Sequence, residues 1–227
     1  MGYTHYWHRP EPIPDELFRE IAADFGRMIL PLSDFGVELA GGLGKGPPAI
    51  AEDMICFNGV QECGHPGFED LVIPYPTDDA EGIGPAATAI ASDYSFGVLV
   101  KHRSCNGQCS YETFTLERDM NLRPGREPDD MGLYVGFTKT GFRPYDIAVT
   151  AALLIAKHHL GDRFIVHSNG LEPQWKDAKR MCQQVLGYGD WFGIVEEPVI
   201  ENEPGPDGTT EKRTIQIRTL IEIRPPA

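Results

Sequence analysis

Residues 147–156, Ile-Ala-Val-Thr-Ala-Ala-Leu-Leu-Ile-Ala, carry no charge and a single hydroxyl over nearly three helical turns. Arg143-Pro144 can open a helix here, because a proline in the first turn gives up a donor that has no intrahelical partner; Gly161 behind Leu160 supplies a stop. A helix that is apolar on every side has no solvent face, so the rest of the fold has to wrap it. The sequence predicts a buried central helix over 143–160, and every other element is read as its cover. Strand 164–167 is expected to back it directly.

Two further helices follow from spacing. After Pro10, Pro12 and Pro14, Asp15 can cap a helix whose apolar positions Leu17, Ile21, Phe25, Met28 and Ile29 share one face, with Pro31 setting its end. The third runs over 173–186. Tyr3 to His8 alternates so that Tyr3, His5 and Trp7 line one face of a short strand. More strands are expected at 52–57, 70–73 and 133–137. A hairpin is expected to pair 96–102 with 111–117 around Asn106-Gly107, and another closes the chain. In the last hairpin Ile215, Ile217, Ile221 and Ile223 share a face opposite Thr214, Gln216, Arg218 and Glu222, with turn chemistry at 204–208. Hairpins outnumber possible crossovers, so the fold class is α+β: a mainly antiparallel sheet packed on the central helix. With 25 Gly and 19 Pro it is loop-rich. The 227 residues are read as a single domain, 1–227, with an inserted excursion at about 60–110.

Charge narrows the partners. Asp plus Glu number 34 against 20 Lys plus Arg, a formal charge of −14, which repels phosphate backbones and anionic lipid. Nucleic acid and membrane are therefore not expected, and the longest apolar run falls far short of the roughly 20 residues of a spanning helix. Five cysteines, an odd count without a secretory leader, suit a reducing cytoplasmic compartment better than a disulfide framework.

Motifs with chemistry are sparse. Gly41 to Gly46 with Lys45 lacks the Ser or Thr of a phosphate loop, and Pro47-Pro48 blocks the helix such a loop needs. Thiolate and imidazole are the usual zinc ligands, and Cys63, His65, Cys105 and Cys109 are the candidate set. Their spacing matches paired structural ligands only loosely, so no cofactor is expected and zinc is the exception to test. No hydrolase elbow or zinc-protease motif is present, and the reading leans away from an enzyme without excluding one. Tyr3, His5 and Trp7 on the first strand, with Lys139, Thr140 and Arg143 before the central helix, are the candidate ligand-binding residues. In that segment Asp146 is expected to pair with Arg143. His158 and His159 fall in the last helical turn, where imidazolium is favoured by the macrodipole.

The opening Met1-Gly2-Tyr3-Thr4-His5-Tyr6-Trp7 resembles that of a family of uncharacterised bacteriophage and prophage proteins. Phe137-Thr138-Lys139-Thr140, Arg143-Pro144-Tyr145-Asp146 and the run from Ala152 to His159 resemble the family's second block. The resemblance covers about half the chain discontinuously and implies a phage origin, with no catalytic residue to carry over. Taken with the charge, it leads to the expectation of a phage-encoded accessory protein that binds a host protein. The alternative is an enzyme or small-ligand-binding protein with its pocket between the Tyr3–Trp7 strand and residues 137–146.

Overall fold

The computed structural model describes residues 3–65, 94–95, 98–99, 103, 105, 107–120, 127–204 and 210–223. In chain order these form β1 (Thr4–Arg9), α1 (Asp15–Asp34), β2 (Leu39–Ala40), β3 (Ala49–Ile50), β4 (Met54–Gly59), β5 (Tyr94–Ser95), β6 (Val98–Leu99), β7 (Phe114–Glu117) and β8 (Tyr134–Lys139). Then come α2 (Asp146–Leu160), a short 3-10 turn, β9 (Ile165–Ser168), α3 (Glu172–Leu186), β10 (Phe192–Pro204) and β11 (Thr210–Glu222). A five-stranded sheet has the order β10-β11-β9-β1-β8, and every pairing in it is antiparallel. A second antiparallel sheet is built on β4, which pairs with β2, β3 and β7. The α+β class, the central helix and the two further helices are as the sequence dictates.

The apolar run is covered as its composition demands. Ile147 to Ala156 is buried throughout, and α2 packs against α1, α3 and β9. On α1, Phe18, Ile21, Phe25, Met28 and Leu32 are buried. Phe25 stacks on Phe57 of β4 at 4.9 Å between ring centroids, and Phe57 meets Phe114 of β7 at 5.0 Å. Aromatic pairs of this kind tie the helix layer to the second sheet.

Three local expectations are corrected. Helix α1 runs on to Asp34 with Pro31 inside it. Proline removes one donor only, and the Phe35 N–H still reaches the carbonyls of Pro31 and Leu32. Among the described residues β7 pairs with β4, and β6, the described part of 96–102, pairs with β5, in place of the expected hairpin between 96–102 and 111–117. The strand expected at 70–73 and the turn at 205–208 lie outside the described residues. In the final hairpin Ile215 and Ile217 are half-buried and Thr214 and Gln216 exposed, but at the end that joins β9 the isoleucine face is not the buried one. Leu220, on the opposite face, is 1% exposed in the core, whereas Ile223 is 57% exposed. Alternation fixes which residues share a face but not which face meets the helices. Here β11 joins β9 through Thr219 and Leu220, with Leu220 opposite the buried Val166.

Among the described residues no helix is long and apolar enough to cross a membrane. The outer strand β10 has Pro198 and the exposed Glu196 and Glu197 in its middle. A missing donor and exposed charge discourage edge-to-edge pairing with another sheet.

Candidate metal centre and buried polar network

Strand β4 ends in Asn58-Gly59, and both residues are used. The buried Asn58 carboxamide donates to the carbonyls of Gly42 (3.2 Å) and Tyr111 (3.0 Å) and accepts from the backbone N–H groups of Gly59 (2.8 Å) and Tyr111 (3.0 Å). One side chain thus pins the chain leaving β4 to the chain entering β7. At Gly59 a Cβ would lie 2.0 Å from the Cys109 carbonyl oxygen, so only glycine permits this approach. Gly59→Ala is expected to push the Cys109 loop away and weaken metal binding at least tenfold, read by competition with a chromophoric chelator.

Beyond that clamp the two arms converge. Phe57 stands opposite Phe114; Cys63 and His65 follow the first strand, while Cys105 and Cys109 precede the second. The Cys109 N–H donates to the Val60 carbonyl at 3.1 Å, and the Gln108 N–H closes the intervening turn on Cys105. Sγ of Cys63 lies 3.3 Å from Sγ of Cys105, which lies 3.4 Å from Sγ of Cys109. The last is 3.4 Å from Nδ1 of His65. All four ligand atoms fall within 4.8 Å of one another. Around one tetrahedral ion with metal–sulfur bonds of about 2.3 Å, the edges would be about 3.8 Å between sulfurs and about 3.5 Å from sulfur to nitrogen. A disulfide needs about 2.05 Å, and all the cysteines are free. The group can hold a metal ion.

Its electrostatics differ between the arms. At Cys63 burial opposes ionisation, but the His65 backbone amide and the Cys105 and Cys109 thiols outweigh it and bring the thiol down to about 7. Burial pushes Cys105 and Cys109 up instead. Proton release on metal binding is therefore built into the site.

Two residues before Cys105 the same segment enters a buried polar network. The Arg103 guanidinium donates from Nε to Asp146 Oδ2 (3.2 Å), from Nη1 to Asp177, and from Nη2 to the Gln174 carbonyl (2.7 Å). Asp146, wholly buried at the start of α2, also meets Nε2 of His5 (2.8 Å) and the Thr140 hydroxyl (2.7 Å). His5 contacts Ser168 Oγ through Nδ1 at 2.9 Å. Burial opposes the Asp146 carboxylate, yet His5, Arg103 and Thr140 hold it below the ordinary value of 3.8. For Tyr3, burial first and Asp146 second hold the phenol well above 10.

The sequence-proposed residues separate into groups. Tyr3, His5 and Thr140 come together around Asp146, and the Tyr3 ring lies 3.9 Å from that of Phe142. Trp7 points into the core against Phe114 and borders a different, shallow cleft with Arg9 and Phe137. Lys139 is exposed beside Glu112. Arg143 does not form the expected ion pair with Asp146; it donates to the Cys105 carbonyl, while Asp146 turns to His5 and Arg103. His159 pairs with Glu20 and Asp24, and His158 stacks on Tyr188. Sequence reasoning missed Arg103, which bonds Asp146 directly, and Ser168 on β9 and Asp177 on α3, which reach it through His5 and Arg103. Comparison with protein-family models, curated proteins and solved structures finds no match.

Proposed function

We propose that Cys63, His65, Cys105 and Cys109 bind one zinc ion as a closed structural centre, in a phage-encoded accessory protein that acts by binding a host protein. The convergence of three thiols and an imidazole at tetrahedral spacing carries the metal reading. Thiolate and imidazole donors select zinc among abundant divalent ions, and four protein ligands leave no position open for substrate. The ion would staple the arms leaving β4 and entering β7, and through Arg103 steady the start of α2. Free cysteines suit the reducing host cytoplasm, where their thiolates stay available to metal. The partner reading rests on the charge of −14 and on the resemblance to phage proteins. A basic protein surface fits that charge; nucleic acid does not.

The native mass of the full chain is expected to exceed its denatured mass by one zinc ion. Capture of a host protein by the immobilised chain is expected to weaken as salt rises. A metal-free native mass that zinc does not change would remove the centre, and partner capture indifferent to salt would remove the electrostatic reading. A second reading, a small-ligand or catalytic site between β1 and residues 137–146, is favoured by one observation. Tyr3, His5 and Thr140 are gathered there around the buried Asp146.

A further inference from the structure

We propose that Ser168, His5 and Asp146 form a nucleophile, base and orienting carboxylate for acyl transfer from a small neutral ester. The inference rests on the second reading above, a site between β1 and the start of α2, and gives it a reaction.

The wiring fixes the roles. Asp146 presents a carboxylate oxygen to Nε2 of His5 at 2.8 Å, so in the tautomer protonated at Nε2 the ring leaves Nδ1 as an acceptor. Ser168 Oγ already accepts the Gly170 N–H at 2.8 Å; its own proton is directed to Nδ1, 2.9 Å away. Relative to the familiar serine triad the two ring nitrogens exchange places, but the division of labour is kept, with one nitrogen taking the serine proton and the other held by the carboxylate. Arg103 and Thr140 secure Asp146 from its other sides.

Two donors stand beside the serine. Among the described residues Trp175 Nε1 is buried without a hydrogen-bond partner, and the buried Tyr3 Oη has the Ser168 hydroxyl itself beside it. Both face the α-carbon of Gly170, where a Cβ would lie 3.1 Å from the Trp175 nitrogen, 2.4 Å from the Tyr3 oxygen and 3.0 Å from Ser168 Oγ. Buried donors next to a nucleophile are what a developing oxyanion requires. The Tyr3 ring packs against that of Phe142, which holds φ 60°, a conformation strained for a bulky residue and often found at functional sites. Moving the Phe142 ring aside would admit the substrate and leave the Tyr3 hydroxyl in place. Arg103 is shared between Asp146 and Asp177, which leaves the cluster with one negative charge and disfavours an anionic acyl group.

In the reaction Ser168 Oγ bonds to the ester carbonyl carbon as its proton passes to His5 Nδ1. The carbonyl carbon–oxygen bond to the leaving alcohol then breaks, and that oxygen takes the proton from His5. Water repeats the sequence on the acyl-serine, releasing the carboxylic acid and restoring Ser168.

The test is to treat the zinc-loaded full chain with a fluorophosphonate probe and map the adduct by peptide mass spectrometry. Labelling of Ser168 is expected, faster in Phe142→Gly, and slower by about 10²-fold or more in His5→Gln once circular dichroism confirms its fold. An adduct seen only in Phe142→Gly still supports the site and its cover. No adduct on Ser168 in either the native chain or Phe142→Gly, or equal labelling in folded His5→Gln, overturns the proposal. A small molecule retained in the native mass without serine labelling would also overturn it while leaving the ligand pocket standing.

Discussion

Chelation of the proposed zinc is expected to lower the melting temperature of this protein by about 8–16 °C. The size follows from linkage: a ligand bound only by the folded state at a free concentration 1,000 times its dissociation constant contributes about 4 kcal/mol. A chain of 150–250 residues shifts by about 2–4 °C per kcal/mol. The whole effect falls on the arms outside β4 and β7, because the core around α2 is assembled from side chains that do not touch the centre. Far-ultraviolet circular dichroism should therefore stay nearly unchanged at 20 °C while the melting curve moves. Cys109→Ser should reproduce the shift without chelator, and added zinc should restore the chelated native chain but not the variant. A melting temperature indifferent to both chelator and zinc would mean that Asn58 and the Val60–Cys109 hydrogen bond hold the arms unaided.

The centre is half legible in the sequence, and the missing half is topological. Cys63-x-His65 and Cys105-x-x-x-Cys109 are visible as ligand types. Spacing argues against them because the two pairs are separated by a long excursion. What joins them is the antiparallel pairing of β4 with β7, whereas sequence proximity matches the β-rich run at 111–117 to 96–102 instead. Once Phe57 stands opposite Phe114, Cys63 and Cys109 lie at nearly equal distances beyond the ladder, and their meeting is a consequence of register. The central helix is legible for the opposite reason. Its nine apolar positions and one threonine admit one environment whatever the topology, whereas Leu220 and Ile221 have equal claims to a core until the helices choose a face. Asp146 shows the same limit at a single residue: near Arg143 in sequence, it is turned by the first helical turn toward β1, where His5 waits.

Replacing Asp146 by Asn should cost about 3–5 kcal/mol, because breaking a buried ion pair leaves its partner uncompensated. By the same scaling that is about 6–20 °C in melting temperature. Arg103 would keep Asp177 but lose the carboxylate on its Nε side, and His5 would face an amide that can meet only one of its needs. The pH dependence carries a definite sign. The Asp146 folded value lies below 3.8, so its stabilisation is fully present above 3.8 and is lost as pH falls through that lower folded value. Melting of the native chain and of Asp146→Asn should differ most above pH 3.8 and converge in stronger acid. Both are to be measured with chelator present, so that acid release of the metal does not contribute. Arg103 then separates a local effect from a connected one. It sits two residues from Cys105 and bonds to both α2 and α3, so Arg103→Met should weaken metal binding and lose stability together, and with Asp146→Asn it should be less than additive. Strict additivity, with metal affinity unmoved, would make the metal centre and the buried network neighbours in sequence that do not communicate.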